Sequence, residues 1–342
     1  MLNKNYRPAN DESWQGRVDS TEDFDAFRWH QWVDFIDLSD ENLKPFEGQM
    51  GFAFLGFKCD VGIQRNKGRD GAKYGPDSIR KELSNKPCRF SKNVKLFDAG
   101  NINVFSSTLE EAQAALSEAV AKILSLNLFP IVLGGGHETA YGHYNGLIKH
   151  FKDNNINENI GIINFDAHFD IRPYPNGGTS GTMFRQIYDD AMDDNRNYDY
   201  FVLGIQQYSN TVNLFKTADS FGAKYILAKD ILRDNYYSNF ETLDDYIREQ
   251  DHLYISICTD VFSSAFAPGV SAPQPLGLDP DRVLILLKHI LSSGKTLSFD
   301  IAEVSPTHDQ DNITANLASV IIFTLVVTLS KIKIEELNRN NN

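Results

Sequence analysis

Residues 160–170 read IGIINFDAHFD. The first part is apolar with little alternation, which is what a strand covered on both faces requires. The second part is a carboxylate, a small residue, an imidazole, an aromatic and another carboxylate. Asp166, His168 and Asp170 are spaced by two. If extended backbone continues past Phe165, all three side chains project to one side. Such a comb of hard and borderline donors suits manganese, iron or zinc.

Working outward, the same kind of apolar run recurs at GFAFLGF (51–57), VKLFDAG (94–100), FPIVLGGG (129–136), YFVLGI (200–205), KYILA (224–228), HLYISI (252–257) and TLSFD (296–300). With the opening stretch this makes eight candidate strands. Helical patterns lie between them. Ala112, Leu116, Ala119, Val120, Ile123 and Leu124 form one apolar stripe, with Ser107 and Glu110 spaced as a capping box at its start. Pro76-Asp77 suits the first turn of a helix through Leu83, and Val283 to Leu291 is a further apolar helix. Strand–helix alternation predicts an α/β fold: a parallel sheet with helices on both faces. KDNNINEN (152–159) reads as a surface connection. There is no internal repeat and no Pro-rich or Gly/Ser-rich linker. A single domain over 1–342 is expected, with an N-terminal extension over 1–50 and a frayed tail over 338–342.

Composition narrows the function. The 342 residues carry 33 Lys+Arg against 46 Asp+Glu, a net charge of -13, with 42% hydrophobic residues. That apolar fraction excludes a disordered chain. The acidic balance argues against nucleic acid and anionic membrane surfaces as partners. Cys59, Cys88 and Cys258 form no disulfide framework and suit a reducing cytoplasm. MLNKNYRPANDESW has no apolar signal-peptide core. Leu317 to Leu329 is apolar but shorter than the roughly 20 residues of a membrane span, and is expected as a buried helix.

In a parallel sheet, function collects beyond the carboxyl ends of the strands. FPIVLGGG runs into His137-Glu138, HLYISI into Cys258-Thr259-Asp260, and TLSFD into Asp300-Ile301-Ala302-Glu303. His137, Asp166, His168, Asp170, Cys258 and Asp260 are then six potential ligands. Two divalent metal ions sharing them would generate a hydroxide nucleophile. Each motif alone has a plain structural reading: a turn histidine, a strand-end hydrogen-bond network, a buried thiol, a surface carboxylate. Four such motifs at four strand ends support one another. Gly134-Gly135-Gly136 lacks the patterns of a phosphate-binding loop, and Asp189 to Asp194 lacks EF-hand spacing and reads as a solvated helix end.

These blocks resemble the ureohydrolase (arginase/agmatinase) family, which carries a G-G-x-H turn, a D-A-H-x-D strand end, an S-x-D-x-D strand end and a late D-x-x-E. Here they are Gly134 to His137, Asp166 to Asp170, Ser256 to Asp260, and Asp300 to Glu303. GGGHE (134–138), GIQRNKGRDGAKYGPDSIR (62–80), SGTMFRQI (180–187) and APGVSAP (267–273) are most similar to the branch of the family that cleaves N-formimidoyl-L-glutamate. The resemblance implies a three-layer α/β/α fold with an eight-stranded parallel sheet, two manganese ions, homo-oligomers, and hydrolysis to L-glutamate and formamide in histidine degradation. It implies a first metal on His137, Asp166, Asp170 and Cys258, and a second on Asp166, His168, Cys258 and Asp260. Asp170 would move protons, and Glu303 would hold the cationic formimidoyl nitrogens. Arg172, with Arg65, Arg69 and Arg185, would bind the carboxylates of this small dicarboxylate amidine.

The sequence departs from the family at two places. Cys258 stands where the family usually has a bridging Asp; a thiolate favours zinc or iron over manganese. Ser180 stands where agmatinases carry a His. Two rivals stay open. One is another ureohydrolase, acting on agmatine or a guanidino acid. The other is a non-enzymatic binding protein of this fold with an impaired metal centre.

Overall fold

In the computed structural model, which describes residues 4–104, 107–233 and 236–340, the eight apolar runs all become strands. They are β3 (Met50–Lys58), β4 (Val94–Asn103), β5 (Phe129–Leu133), β6 (Ile160–Phe165), β7 (Tyr200–Ile205), β8 (Lys224–Leu227), β9 (His252–Cys258) and β10 (Thr296–Ala302). Every residue of β5, β6 and β7 is buried, as strands covered on both faces must be. The sheet order is β4-β3-β5-β10-β9-β6-β7-β8, with parallel pairing throughout this set.

Two further strands correct the expected count of eight. β1 (Tyr6–Arg7) pairs antiparallel with β4, and β2 (Val33–Phe35) pairs parallel with it, making ten strands among the described residues. Residues 4–50 are therefore woven onto the sheet edge. Trp14 Nε1 donates to Asp98 at 2.6 Å, and the same carboxylate is held by Arg80 at 2.7 Å. All three side chains are buried, so the pair is desolvated but fully hydrogen-bonded.

Successive residues face opposite layers. Phe52, Phe54, Phe165 and Ile257 enter one core, against helices Gly75–Ser84, Pro280–Leu291 and Ile313–Asn340. Ala53, Leu55, Val132 and Ile162 enter the other, against helices Leu109–Ser125, Thr139–Asp153 and Met183–Asp193. The capping box lies one residue later than expected. Thr108 Oγ1 accepts from Glu111 N at 3.1 Å and Glu111 Oε2 accepts from Thr108 N at 3.1 Å, so Thr108, not Ser107, caps the start of the helix.

The last helix is longer than its apolar stretch suggests: 28 residues, continuing through 338 to Asn340 where fraying was expected. Asn341 and Asn342 lie outside the described residues. By length and composition this helix is sufficient to cross a membrane. Its Ala318, Ile321, Ile322, Leu325 and Val326 are fully buried in the core beside Trp29 and Ile79. What matters for function is the sheet order. β5, β10, β9 and β6 are consecutive neighbours, so the four motifs that follow them emerge side by side on one edge.

Candidate metal centre

The opening comb does not stay extended. β6 ends at Phe165, and the last ladder-like bond is Asp166 N to Leu203 O at 3.0 Å. Beyond it the chain turns, and Asp170 takes a left-handed backbone with φ 50°. The expected period-two projection is thus replaced by a loop whose shape other residues impose. Gln206 N donates to Ala167 O at 3.0 Å, Tyr200 OH to Phe169 O at 3.0 Å, and Phe184 N to Asp170 O at 3.2 Å. Gly204, at φ 109°, lets the neighbouring strand pass: a Cβ there would lie 2.5 Å from Val261 and 3.2 Å from Asp166 O.

His137 is set by a similar close approach. It follows the Gly134–Gly136 turn, and a Cβ on Gly135 would fall 1.8 Å from Cys59 O. The glycines serve this backbone crossing rather than a phosphate. Cys258 is the last residue of β9, and Asp260 lies in the turn after it.

The predicted ligands do converge. His137 Nδ1 lies 3.0 Å from Asp166 Oδ2 and 3.1 Å from Asp170 Oδ2. His168 Nδ1 lies 3.4 Å from Asp166 Oδ1 and 3.1 Å from Asp260 Oδ2. One carboxylate, Asp166, therefore offers one oxygen to each imidazole. Donor atoms of His137, Asp166 and Cys258 lie within 4.8 Å of one another, and so do those of Asp166, His168 and Asp260.

The electrostatics fit a cation. Burial, then the Asp166 charge, pushes Asp170 up to about 6. Burial, then nearby acids, pushes Asp260 up and Cys258 far above the usual thiol range. Asp166 is buried too, but hydrogen bonds from both imidazoles hold it well below the usual carboxylate range. His137 and His168 resist desolvation and are raised by the carboxylates around them. Three buried carboxylates and a thiol this close repel unless protons or cations intervene. Asp260 Oδ1 is buried with no hydrogen-bond partner among the described residues. Nitrogen, oxygen and sulfur donors in two groups sharing Asp166 suit two divalent ions of the manganese-to-zinc series.

Glu303 stands just past β10 at φ 70°. Its N donates to Gly135 O at 2.8 Å, and its Oε1 accepts from His137 N at 3.0 Å. Its Oε2 is buried with no hydrogen-bond partner among the described residues, and burial is the main cause that pushes Glu303 up to about 7. A cationic amidine is the natural partner for such an oxygen.

The arginines divide. Arg172 is exposed, and no hydrogen bond or ion pair holds its guanidinium among the described residues. Arg69 donates only to the Val270 carbonyl at 2.5 Å, which leaves its charge unmatched. Arg65 is committed to Glu110 at 2.6 Å and to Gly178 O, and Arg185 lies 3.9 Å from Asp189. A Cβ on Gly181 would lie 3.2 Å from Asn66 and 3.4 Å from Arg172, and one on Gly68 would lie 3.5 Å from Ser271, so the loops bearing these arginines run close to one another. The 189–194 acids are ordinary surface groups; Asp189 and Asp190 accept from Tyr174 and Tyr141, and Asp194 pairs with Lys152.

Residue-by-residue reading missed the support of the ligands. His137 Nε2 lies 2.9 Å from Ser256 Oγ, which donates to Asp300 Oδ1 at 2.7 Å. Asp300 Oδ2 takes bonds from His143 Nδ1 at 2.6 Å and from Tyr254 OH. All five groups are buried. Because Ser256 spends its proton on Asp300, it accepts from Nε2–H, and His137 Nδ1 keeps its lone pair for a metal. Ser256 and Asp300 were visible inside the S-x-C-x-D and D-x-x-E blocks; His143 carried no signal.

A parallel sheet with shared metal-donor groups at its carboxyl edge defines the class of α/β metalloenzymes. More particularly, the chain belongs to the arginase family, whose model matches residues 50–328. It is similar to formimidoylglutamase of Clostridium tetani, 59% identical over 333 residues that cover 97% of this chain and 98% of the relative. Among solved structures it resembles formimidoylglutamase of Bacillus subtilis, with TM-score 0.76 and 22% identity over 92% of this chain and 96% of that one. It also resembles Trypanosoma cruzi formiminoglutamase with Mn2+, with TM-score 0.73 and 23% identity over 86% and 96% of the two chains. The arginase-like fold read from the motifs is thereby shown.

Proposed function

We propose that this chain is a metal-dependent hydrolase that cleaves N-formimidoyl-L-glutamate to L-glutamate and formamide, a step of histidine degradation. The observation that carries the reading is 59% identity over nearly the whole of both chains to a relative of that name. His137, Asp166, Asp170 and Cys258 would hold one ion, and Asp166, His168, Cys258 and Asp260 the other. Manganese is the metal the family suggests, and Mn2+ accompanies the Trypanosoma cruzi protein; the Cys258 thiol leaves zinc or iron open. Such ions supply Lewis acidity and a nucleophilic oxygen at neutral pH.

The chain's own residues do the rest. Glu303 Oε2 receives the formimidoyl N–H groups and orients the carbon toward the Asp166 side of the site. Asp170 takes a proton from the attacking water and returns it to the departing glutamate nitrogen. One C–O bond forms and one C–N bond breaks. Arg172 and Arg69 hold the two carboxylates at the rim, with Arg65 and Arg185 further from that task. The partner is this small molecule, with no nucleic acid and no membrane. A single domain over 1–342, a cytoplasmic location and homo-oligomers complete the proposal.

The test is a formamide and glutamate release assay with manganese, zinc and iron supplied separately. Formamide release with at least one metal is expected. Arg172→Ala should raise KM by about 10- to 100-fold, the range of a lost charge-assisted bond, without loss of metal. Urea release from agmatine, with no formamide from the amidine, would overturn the substrate reading.

A further inference from the structure

We propose that Asn210 is the positioning residue for the His168 half of the metal centre; this rests on the two-ion reading above. A metal-binding histidine is usually fixed by a hydrogen bond from its second ring nitrogen. His137 has one, through Ser256. His168 has none: its Nδ1 faces Asp166 and Asp260, and no bond reaches its Nε2 among the described residues. Its ring is 17% exposed, against 1% for His137. The direction of this imidazole must therefore come from its backbone.

That backbone is held by Gln206 N on Ala167 O, by Tyr200 OH on Phe169 O and by His168 N on Asp166 Oδ1 at 2.8 Å, and one carboxamide bridges both of the residues that flank His168. Asn210 Oδ1 accepts from Phe169 N at 3.1 Å, and Asn210 Nδ2 donates to Ala167 O at 2.9 Å. These are the residues immediately before and after His168. The second hydrogen on Nδ2 goes to Gln206 O at 2.8 Å, which ties the grip to the turn after β7. Asn210 is 7% exposed, so water does not replace these bonds. The segment needs the grip because β6 has ended, and Phe169 N has no sheet partner. Only an amide meets the demand: an acceptor for one peptide N–H and two donors for two carbonyls, on a short stem. Asp offers no donors and places a charge against two carbonyl oxygens. Ala offers nothing.

The experiment compares the full-length wild type with Asn210→Ala and Asn210→Asp. Each is dialysed against manganese, its metal counted by atomic absorption, its affinities measured by calorimetry, and its manganese spin coupling read by electron paramagnetic resonance. The wild type should hold two coupled ions per chain. Both variants should keep one at the concentration that saturates the wild type, with the second site weakened about 10- to 100-fold and the coupled signal replaced by that of an isolated ion. The metal-free variants should melt earlier than the wild type, because the buried Phe169 N–H loses its acceptor, but still in one cooperative transition. Two ions held with wild-type affinity in both variants would overturn the proposal. So would equal weakening of both sites, or unfolding of both metal-free variants, since Asn210 would then serve the fold as a whole. A wild type with fewer than two ions would overturn the two-ion reading itself, and this inference with it.

Discussion

His137 turns both ring nitrogens to fixed partners, while His168 turns only one. The first sits at the end of a side-chain relay, Ser256–Asp300–His143, anchored on β9, β10 and the helix Thr139–Asp153. The second sits on a loop past the end of β6, shaped by Asn210, Gln206 and Tyr200 from β7 and the turn after it. One imidazole is oriented through its ring and the other through its peptide bonds. Two residues proposed for the same role in one site are thus exposed to different failures. A relay fails when one side chain is truncated. A clamp fails when the loop regains backbone freedom, which costs roughly 1–2 kcal/mol for each residue fixed again.

The largest effect should come from the residue the halves share. Asp166→Asn leaves the shape and removes the charge between the two imidazoles. Both ions should be lost on dialysis and formamide release should vanish, because each donor group contains Asp166. Metal analysis decides it. If one ion stays on the His137 side at normal affinity, the halves are independent and the comparison fails.

Ser256→Ala comes next and breaks only the relay. It strands the Nε2–H of His137 and frees Asp300 Oδ1 from its only hydroxyl donor, both in fully buried positions. The affinity of the His137 half should fall about 10- to 100-fold, while the His168 half binds normally. Urea unfolding of the metal-free protein should show a loss of about 1–3 kcal/mol, the cost of a buried polar group left unpaired. This is the mirror of the Asn210 pattern. If Ser256→Ala weakens both ions alike, the relay is a general buttress and not a device for His137.

The unequal legibility of the two halves has the same physical origin. The proposed ligands could be read because each lies in a short block at the end of an apolar run, and parallel sheets gather such ends. Sheet order did the remaining work, since β5, β10, β9 and β6 are adjacent. Ser256 and Asp300 were legible inside their blocks because they precede ligands or Glu303 by a strand period or a turn. Asn210 was not, because it acts on Phe169 across 41 residues and binds only backbone, leaving no pattern of its own in the motif. For that reason spacing alone leaves an extended comb as one reading of Asp166, His168 and Asp170. Strand spacing and a clamped loop can present the same three side chains, and only the hydrogen bonds tell them apart. β1 and β2 escaped because two- and three-residue strands are too short to show a period. They are held by long-range pairing with β4, Tyr6 opposite Ile102 and Val33 opposite Leu96.

Cys258 gives the smallest effect and sharpens the comparison most finely. It closes the relay-held group with His137 and Asp166, whereas the His168 group is completed by Asp260. The sulfur thus stands with the His137 donors and further from those of His168, so even where it bridges both ions its softness should weigh more on the metal preference of the His137 half. The thiol is buried and surrounded by acids, which holds its proton tightly, so an ion must displace that proton to use the sulfur. Cys258→Asp removes this competition and supplies oxygen donors. Manganese affinity should rise relative to zinc by a factor on the order of ten, about 1.4 kcal/mol, with most of the change on the His137 side. Competitive loading with the two metals, followed by metal counting, reads the ratio directly. An unchanged ratio would mean that the sulfur does not touch an ion, and that the first site rests on His137, Asp166 and Asp170 alone.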